Sequence, residues 1–184
     1  MNSPRVLIPL ADGFEEIEGI TIIDILRRAN IDVITAGLKE GPVEASRKTR
    51  HLPDTTLEKV FHQTFDAVIL PGGQEGAQHL KEDPRIHEIL LRHTRAGKWV
   101  AAICAAPIVL HEVGLLSGKR ATSHPSVRKQ IPEIHAVKER VVVDGNIVTS
   151  LSAGSAMEFA FKLVELLRGP ETAEEVNQGV LAKW

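Results

Sequence analysis

Apolar positions along the chain alternate between short unbroken runs and helical spacings. Arg5-Val6-Leu7-Ile8-Pro9-Leu10 has strand length, with Pro9 required near its end or where no ladder bond is needed. From Glu15, the positions Ile17, Ile20, Ile23, Ile25 and Leu26 follow helical spacing, and Arg27-Arg28 suits that helix's negative end. Residues 31–36 read as a second strand, so the opening predicts a parallel pair with a right-handed crossover. Gly41 to Asp54 breaks the alternation and reads as a hairpin or excursion. Residues 66–70 form a central strand ended by Pro71-Gly72-Gly73. Asp83 and Pro84 are the cap and first position of a helix carrying Ile86, Ile89 and Leu90, closed by Gly97.

Residues 98–103 are again strand-like, and residues 108–116 have helical spacing. Val141-Val142-Val143 and Ile147-Val148-Thr149 flank Asp144-Gly145-Asn146 as a hairpin. Met157, Ala160, Phe161, Val164 and Leu167 share one face of a packed helix, and Gly169-Pro170 separates it from a weakly apolar last helix. Strands alternating with helices predict an α/β layered sheet.

Composition narrows the function classes. The 184 residues, 43% hydrophobic and 25% charged, predict one domain over residues 1–184. A net charge of -2 provides no general basic footprint for nucleic acid or an acidic membrane, and the absence of Tyr argues against a base-stacking platform. No apolar run approaches membrane-spanning length, and Val6 to Ala11 is too short for a signal-peptide core. With a single Cys, the expected location is a reducing cytoplasm. No Walker loop or Gly-x-Gly-x-x-Gly run supports a nucleotide cofactor.

Cys104 falls where a buried strand turns into a helix, a position at which helix N–H groups and dipole favour a thiolate. The same residue fits a small buried hydrophobe equally well. In an open α/β sheet, loops after different strands meet at their carboxyl ends. Glu15, Glu16 and Glu18 follow the first strand; Glu15 and Glu18 share a face, whereas Glu16 points elsewhere. Such a carboxyl either meets Cys104 or forms a solvated acidic first turn. Gly72-Gly73 is either a tight turn or, with the Ala105 N–H, an oxyanion hole. His124 is a candidate base or orienting group. The other seven histidines lack metal-ligand spacing and read as surface residues, and Ser46 to His51 reads as a solvated basic hairpin.

Taken together, Gly13-Phe14-Glu15-Glu16-Ile17-Glu18, Asp24 to Arg28, Leu70-Pro71-Gly72-Gly73 with Gly76-Ala77, Ala101-Ala102-Ile103-Cys104-Ala105, Thr122-Ser123-His124-Pro125 and Thr149-Ser150 resemble the ThiJ/PfpI superfamily. Within it they are similar to the Parkinsonism-associated deglycase subfamily, which includes bacterial YajL-like proteins. The resemblance implies a flavodoxin-like three-layer sandwich with a mostly parallel sheet, akin to class I glutamine amidotransferases. It further implies Cys104 as nucleophile, Glu18 as the protonated carboxyl beside it, His124 as the nearby imidazole, and the N–H groups of Gly73 and Ala105 around an oxyanion. A homodimer is implied, with the first helix at the interface and Glu15, Arg27 or Arg28 reaching toward the partner's site.

The implied activity needs no cofactor or metal: conversion of methylglyoxal to lactate, or removal of early glycation adducts from proteins and nucleotides. The alternative is a redox-sensing stress chaperone that acts on client proteins through oxidation of Cys104. Three departures stand out. Ala105 replaces the histidine of the superfamily's peptidase-like branch, which argues against proteolysis. Ala106 stands for the subfamily's usual Gly, and Leu151-Ser152-Ala153-Gly154 for its Gly-Pro-Gly loop; both are expected to reshape the pocket wall.

Overall fold

The structure is a computed structural model and describes residues 3–132 and 134–184. In chain order, β1 (Arg5–Leu10), α1 (Glu16–Arg28) and β2 (Asp32–Gly37) precede a small hairpin, β3 (Val43–Glu44) and β4 (Arg50–His51). Next come β5 (Thr55–Thr56), the one-turn α2 (Leu57–Val60), β6 (Ala67–Leu70), α3 (Gln74–Glu82) and α4 (Pro84–Arg95). The elements β7 (Trp99–Ile103), α5 (Pro107–Glu112), β8 (Arg120–Ala121), β9 (His135–Ala136), β10 (Val141–Asp144) and β11 (Ile147–Ser150) follow, then α6 (Ala156–Arg168) and α7 (Pro170–Val180).

The main sheet has seven strands in the order β10-β11-β7-β6-β1-β2-β5. Every pairing in it is parallel except that of β10 with β11. Two apolar layers cover it, as the continuous burial of β6 and β7 requires of a parallel sheet. One packs Val6, Ile8 and Leu10 with Ile22 and Leu26 of α1 and Phe159 and Leu163 of α6. The other packs Leu7, Val68 and Val100 with Leu80 of α3, Ile86 and Leu90 of α4 and Val109 of α5. This is the flavodoxin-like three-layer sandwich expected. No helix among the described residues is long and apolar enough to cross a membrane.

The strand order creates the site. From β1 the chain moves outward to β2 and β5, then returns to β6 on the other side of β1, so connections leave β1 and β6 in opposite directions. The two strands pair only through Val6–Ala67 and Leu7–Val68, and Pro9, which lacks a ladder N–H, lies past the last pair. The carboxyl ends of β1 and β6 are thereby left open to receive the loops that follow them.

Several local features depart from the expectations or add to them. Residues 74–82 form α3 despite Gly76, because a Cβ there would meet the Phe14 N at 2.6 Å; the glycine lets the helix lie against the loop after β1. The helix expected over 108–116 ends at Glu112, ahead of the left-handed Gly114. Residues 46–51 do form a hairpin, but Glu16 clamps it by accepting from the Arg47 N–H and the Thr49 hydroxyl. His93 is a core residue rather than a surface one: its Nε2 accepts from the Phe65 N–H at 3.0 Å and its Nδ1 lies 2.7 Å from the Ile89 carbonyl.

Burial holds the His93 pKa below its ordinary 6.5, with Arg92 and Lys98 adding to the effect and the Ile89 contact opposing it. Since the unfolded chain then binds the extra proton more readily, the stabilisation is complete above 6.5 and is lost as pH falls. Urea midpoints are expected to drop between pH 7.5 and pH 5. His93→Phe is expected to flatten that dependence while costing about 1–3 kcal/mol at pH 7.5, the usual penalty for an unpaired buried N–H such as that of Phe65. An unchanged acid slope in the variant would contradict this assignment.

Candidate active site

The loop after β1 turns at Gly13 and is anchored by the buried Phe14 ring, so α1 starts over the sheet's carboxyl end. The Glu15 N–H donates to the Gly72 carbonyl at 3.0 Å, tying this loop to the one after β6. At Gly73, with φ of 88°, a Cβ would meet the Gly13 oxygen at 2.3 Å and the Glu15 N at 2.7 Å. Only glycine permits that contact. One turn into α1, Glu18 is fully buried, and its Oε2 accepts from the Gly72 N–H at 2.8 Å. Its other oxygen, Oε1, is buried and has no hydrogen-bond partner of normal geometry among the described residues.

Cys104 follows β7 in the left-handed region, with φ of 63°. For a side chain with a Cβ this costs about 1–2 kcal/mol, and the flanking hydrogen bonds hold it there. The Cys104 N–H donates to the Ser150 carbonyl at 2.9 Å, and its carbonyl accepts from the His124 N–H at 2.8 Å. The strained bend lifts the sulfur out of the β7 core to a half-buried position beside Glu18. Around them lies a cavity of about 370 Å³ lined by Glu15, Glu18, Gly73, Gln74, Cys104, Ala105, His124, Ser126, Ser152 and Ala153. A larger cavity of about 520 Å³ lies near Leu38 and Arg85, where Lys39 pairs with Asp12 and Arg85 with Asp83. The smaller cavity holds both Cys104 and Glu18.

The two acidic groups resist ionising together. Desolvation pushes Glu18 up to about 7, opposed by contacts with the Cys104 thiol and the Gly72 N–H and reinforced by nearby Glu15. Desolvation also pushes the Cys104 thiol up to about 12, aided by the Glu18 charge and hydrogen bond and opposed by the N–H groups of Gly73 and Ala105. Such values belong to the pair: one proton leaves near 7, and the second is retained until far higher pH. The resemblance implies the opposite placement of that remaining proton, a thiolate beside a protonated carboxyl. The helix behind Cys104 has only six residues and begins at Pro107, so burial and a like charge outweigh its dipole. Above about pH 7 the direction of these shifts favours a thiol beside a carboxylate, with one proton to exchange between them.

Glu15 and Glu18 both reach this pocket, and Glu15 Oε2 accepts from the Ser46 hydroxyl. The N–H groups of Gly73 and Ala105 act on the sulfur, but that of Gly72 is committed to Glu18 and is not available to an oxyanion. Arg27 and Arg28 sit at the far end of α1, bonded to Asp54 and Asp24 of the same chain. Of the two departures expected to shape the wall, Ser152 and Ala153 line the pocket. Ala106 is instead fully buried in the core, in a right-handed conformation that does not need glycine. Ser126 and Gln74 are pocket residues that sequence reasoning missed; the Ser126 signal was its place two residues after His124.

Residues 4–166 match the model of the DJ-1/PfpI family. The chain belongs to that family, within the ThiJ/PfpI superfamily. It is 43% identical over 185 residues to Protein dj-1beta of Drosophila melanogaster, covering 99% of both chains. The crystal structure of that DJ-1beta superposes with a TM-score of 0.96, at 42% identity and with 100% of each chain covered. A Caenorhabditis elegans relative named glutathione-independent glyoxalase DJR-1.2 is 39% identical over 172 residues, covering 92% of this chain and 91% of that one. Protein DJ-1 homolog A of Arabidopsis thaliana is 39% identical over 182 residues; 98% of this chain matches, spanning only 46% of the plant protein.

Two outcomes follow from the coupled pair. Glu18→Gln removes two of the three influences that raise the thiol, so Cys104 alkylation should titrate at lower pH than in the wild type. An upward shift would contradict the coupling. Gly72→Ala places a Cβ 2.4 Å from Glu18 Oε2 and 2.7 Å from Cys104 Cβ, and should abolish the ordered pair. Retention of the wild-type Cys104 titration in that variant would show that the close approach is not required.

Proposed function

We propose that this pocket converts 2-oxoaldehydes to 2-hydroxy acids without glutathione or any other cofactor, with methylglyoxal to lactate as the test reaction. The supporting observation is a strained cysteine and a buried carboxyl sharing one proton near neutral pH. In the proposed sequence, the Glu18 carboxylate takes the thiol proton as the Cys104 sulfur adds to the aldehyde carbon, and the carbonyl electrons move onto oxygen. Glu18 returns that proton to the oxyanion, leaving a hemithioacetal and a carboxylate again. The carboxylate then removes the former aldehyde hydrogen to form an enediol, and reprotonation at the neighbouring carbon forms a thioester. Water hydrolyses the thioester, releasing the hydroxy acid and restoring the thiol, so overall the aldehyde consumes one water. Early glycation adducts, whose former carbonyl carbon has the same oxidation level, are the proposed extension of the substrate class.

The name of the nematode relative points to the same chemistry. The alternative, Cys104 as a redox sensor for client proteins, is the weaker reading because the thiolate is the readily oxidised form and this thiol holds its proton. A homodimer through α1 remains part of the proposal: Ile17 and Ile20 are 58% and 40% exposed on the helix that carries Glu18. A reducing cytoplasm suits a free active thiol.

Purified protein without glutathione should form lactate from methylglyoxal. Cys104→Ser should abolish the reaction, and Glu18→Gln should slow it by about 10²–10⁴. Because the carboxylate is the active form, the rate should rise with pH up to about 7 and then level off. Turnover retained by Cys104→Ser would overturn the reading. Sedimentation should show a dimer that Ile17→Glu dissociates; an unaltered dimer would place the interface elsewhere.

A further inference from the structure

The protonation pattern of the His124 ring is legible from the backbone beside it. His124 caps the 3-10 turn Pro125–Gln130, and its Nδ1 lies 3.2 Å from the Ser126 backbone N and 2.7 Å from the Ser126 hydroxyl. A backbone N–H only donates, so Nδ1 must accept, and a proton on that atom would collide with the amide hydrogen. In the neutral ring the proton therefore sits on Nε2, and the Ser126 hydroxyl becomes a second donor to Nδ1. Nε2 itself has no hydrogen-bond partner among the described residues. The ring lines the pocket with Cys104 and Glu18, and its backbone is tied to the Cys104 carbonyl at 2.8 Å.

We propose that Ser126 is a positioning residue that holds His124 in its Nε2–H tautomer, making His124 a hydrogen-bond donor to substrate oxygen rather than a base. A base at this position needs an open nitrogen lone pair facing the pocket. The single neutral lone pair is already occupied by Ser126, and turning the ring over would break both contacts. The Gly73 and Ala105 N–H groups surround the sulfur, where the first oxyanion forms, whereas a 2-oxoaldehyde has a second oxygen on the adjacent carbon. Nε2–H serves that oxygen as it gains charge in the enediol. Glu18 is left as the proton acceptor beside the sulfur. Pro125 fixes the start of the turn, so any residue at 126 with an N–H supplies one contact, but only Ser or Thr adds the hydroxyl.

This inference rests on the proposed 2-oxoaldehyde chemistry for its role, but not for its tautomer. The experiment pairs two-bond ¹H–¹⁵N spectra of histidine-labelled protein, with the His124 signal identified by its loss in His124→Ala, with methylglyoxal turnover. The wild type should show an unprotonated Nδ1 and a protonated Nε2 at neutral pH. Ser126→Ala, which loses the hydroxyl but keeps the backbone N–H, should retain the Nε2–H tautomer, whereas Ser126→Pro, which removes both donors, should mix the tautomers and lower kcat about fivefold with little change in KM. His124→Gln, which can donate through its amide but cannot act as a base, should retain at least about tenfold more turnover than His124→Ala. A wild-type Nδ1–H tautomer, or equal turnover in the Gln and Ala variants, would overturn the proposal. If no 2-oxoaldehyde is turned over while the Nε2–H signal and its Ser126 dependence are seen, the substrate reading fails and the positioning by Ser126 stands.

Discussion

Burial of the Glu18 carboxyl beside the Cys104 sulfur is the constraint to which the surrounding structure answers. An ionised carboxylate removed from water without a counter-ion is costly, and no cation is among the groups that shift Glu18. The protein has one strong N–H donor for it, from Gly72, and one neighbour with which to share a proton, Cys104. Relief comes from keeping the carboxyl protonated until pH approaches 7, after which the pair shares the one remaining proton. In the proposed reaction this pair supplies both the nucleophile and the base that activates it.

Several otherwise unfavourable local choices follow. Glycine is needed at Gly72 because any Cβ would enter the space between Glu18 and Cys104, and at Gly73 because the loops after β1 and β6 touch backbone to backbone. Cys104 adopts left-handed geometry because a relaxed continuation of β7 would leave the thiol within the core. Such strain persists when the surroundings over-determine it, here through the Ser150 carbonyl on one side and the His124 N–H on the other. The break in β1–β6 pairing after Leu7 opens the crevice that makes these contacts possible. Sheet topology and site chemistry are therefore parts of the same arrangement.

The layered sheet was legible in the sequence because it depends on periodicity, and the strand order brought the loops carrying the first-helix carboxyls and Cys104 to one end; that Glu18 is the carboxyl beside the sulfur was implied only by the family resemblance. What escaped was whatever depends on close approach. The glycine in α3 hid a helix whose reason for existing is the Phe14 backbone beneath it. His93 looked like a surface histidine because its partners, the Phe65 N–H and the Ile89 carbonyl, belong to backbone that folding alone brings into register. The influences on Cys104 ionisation divide in the same way: a strand-to-helix turn suggests a dipole, whereas the degree of burial and the distance to a like charge are properties of the packed molecule. For Ser126 the sequence offers only its place two residues after His124; the contact itself belongs to the folded turn.

The central claim is that one proton leaves this pair near neutrality and that it leaves from the carboxyl side. An infrared titration of the native protein, following the Glu18 carboxylic C=O band and the Cys104 S–H stretch together, reads both groups without altering either. The carboxylic band should disappear as pH passes about 7, while the S–H stretch persists well into the alkaline range. Loss of the S–H stretch at neutral pH with the carboxylic band intact would contradict the account.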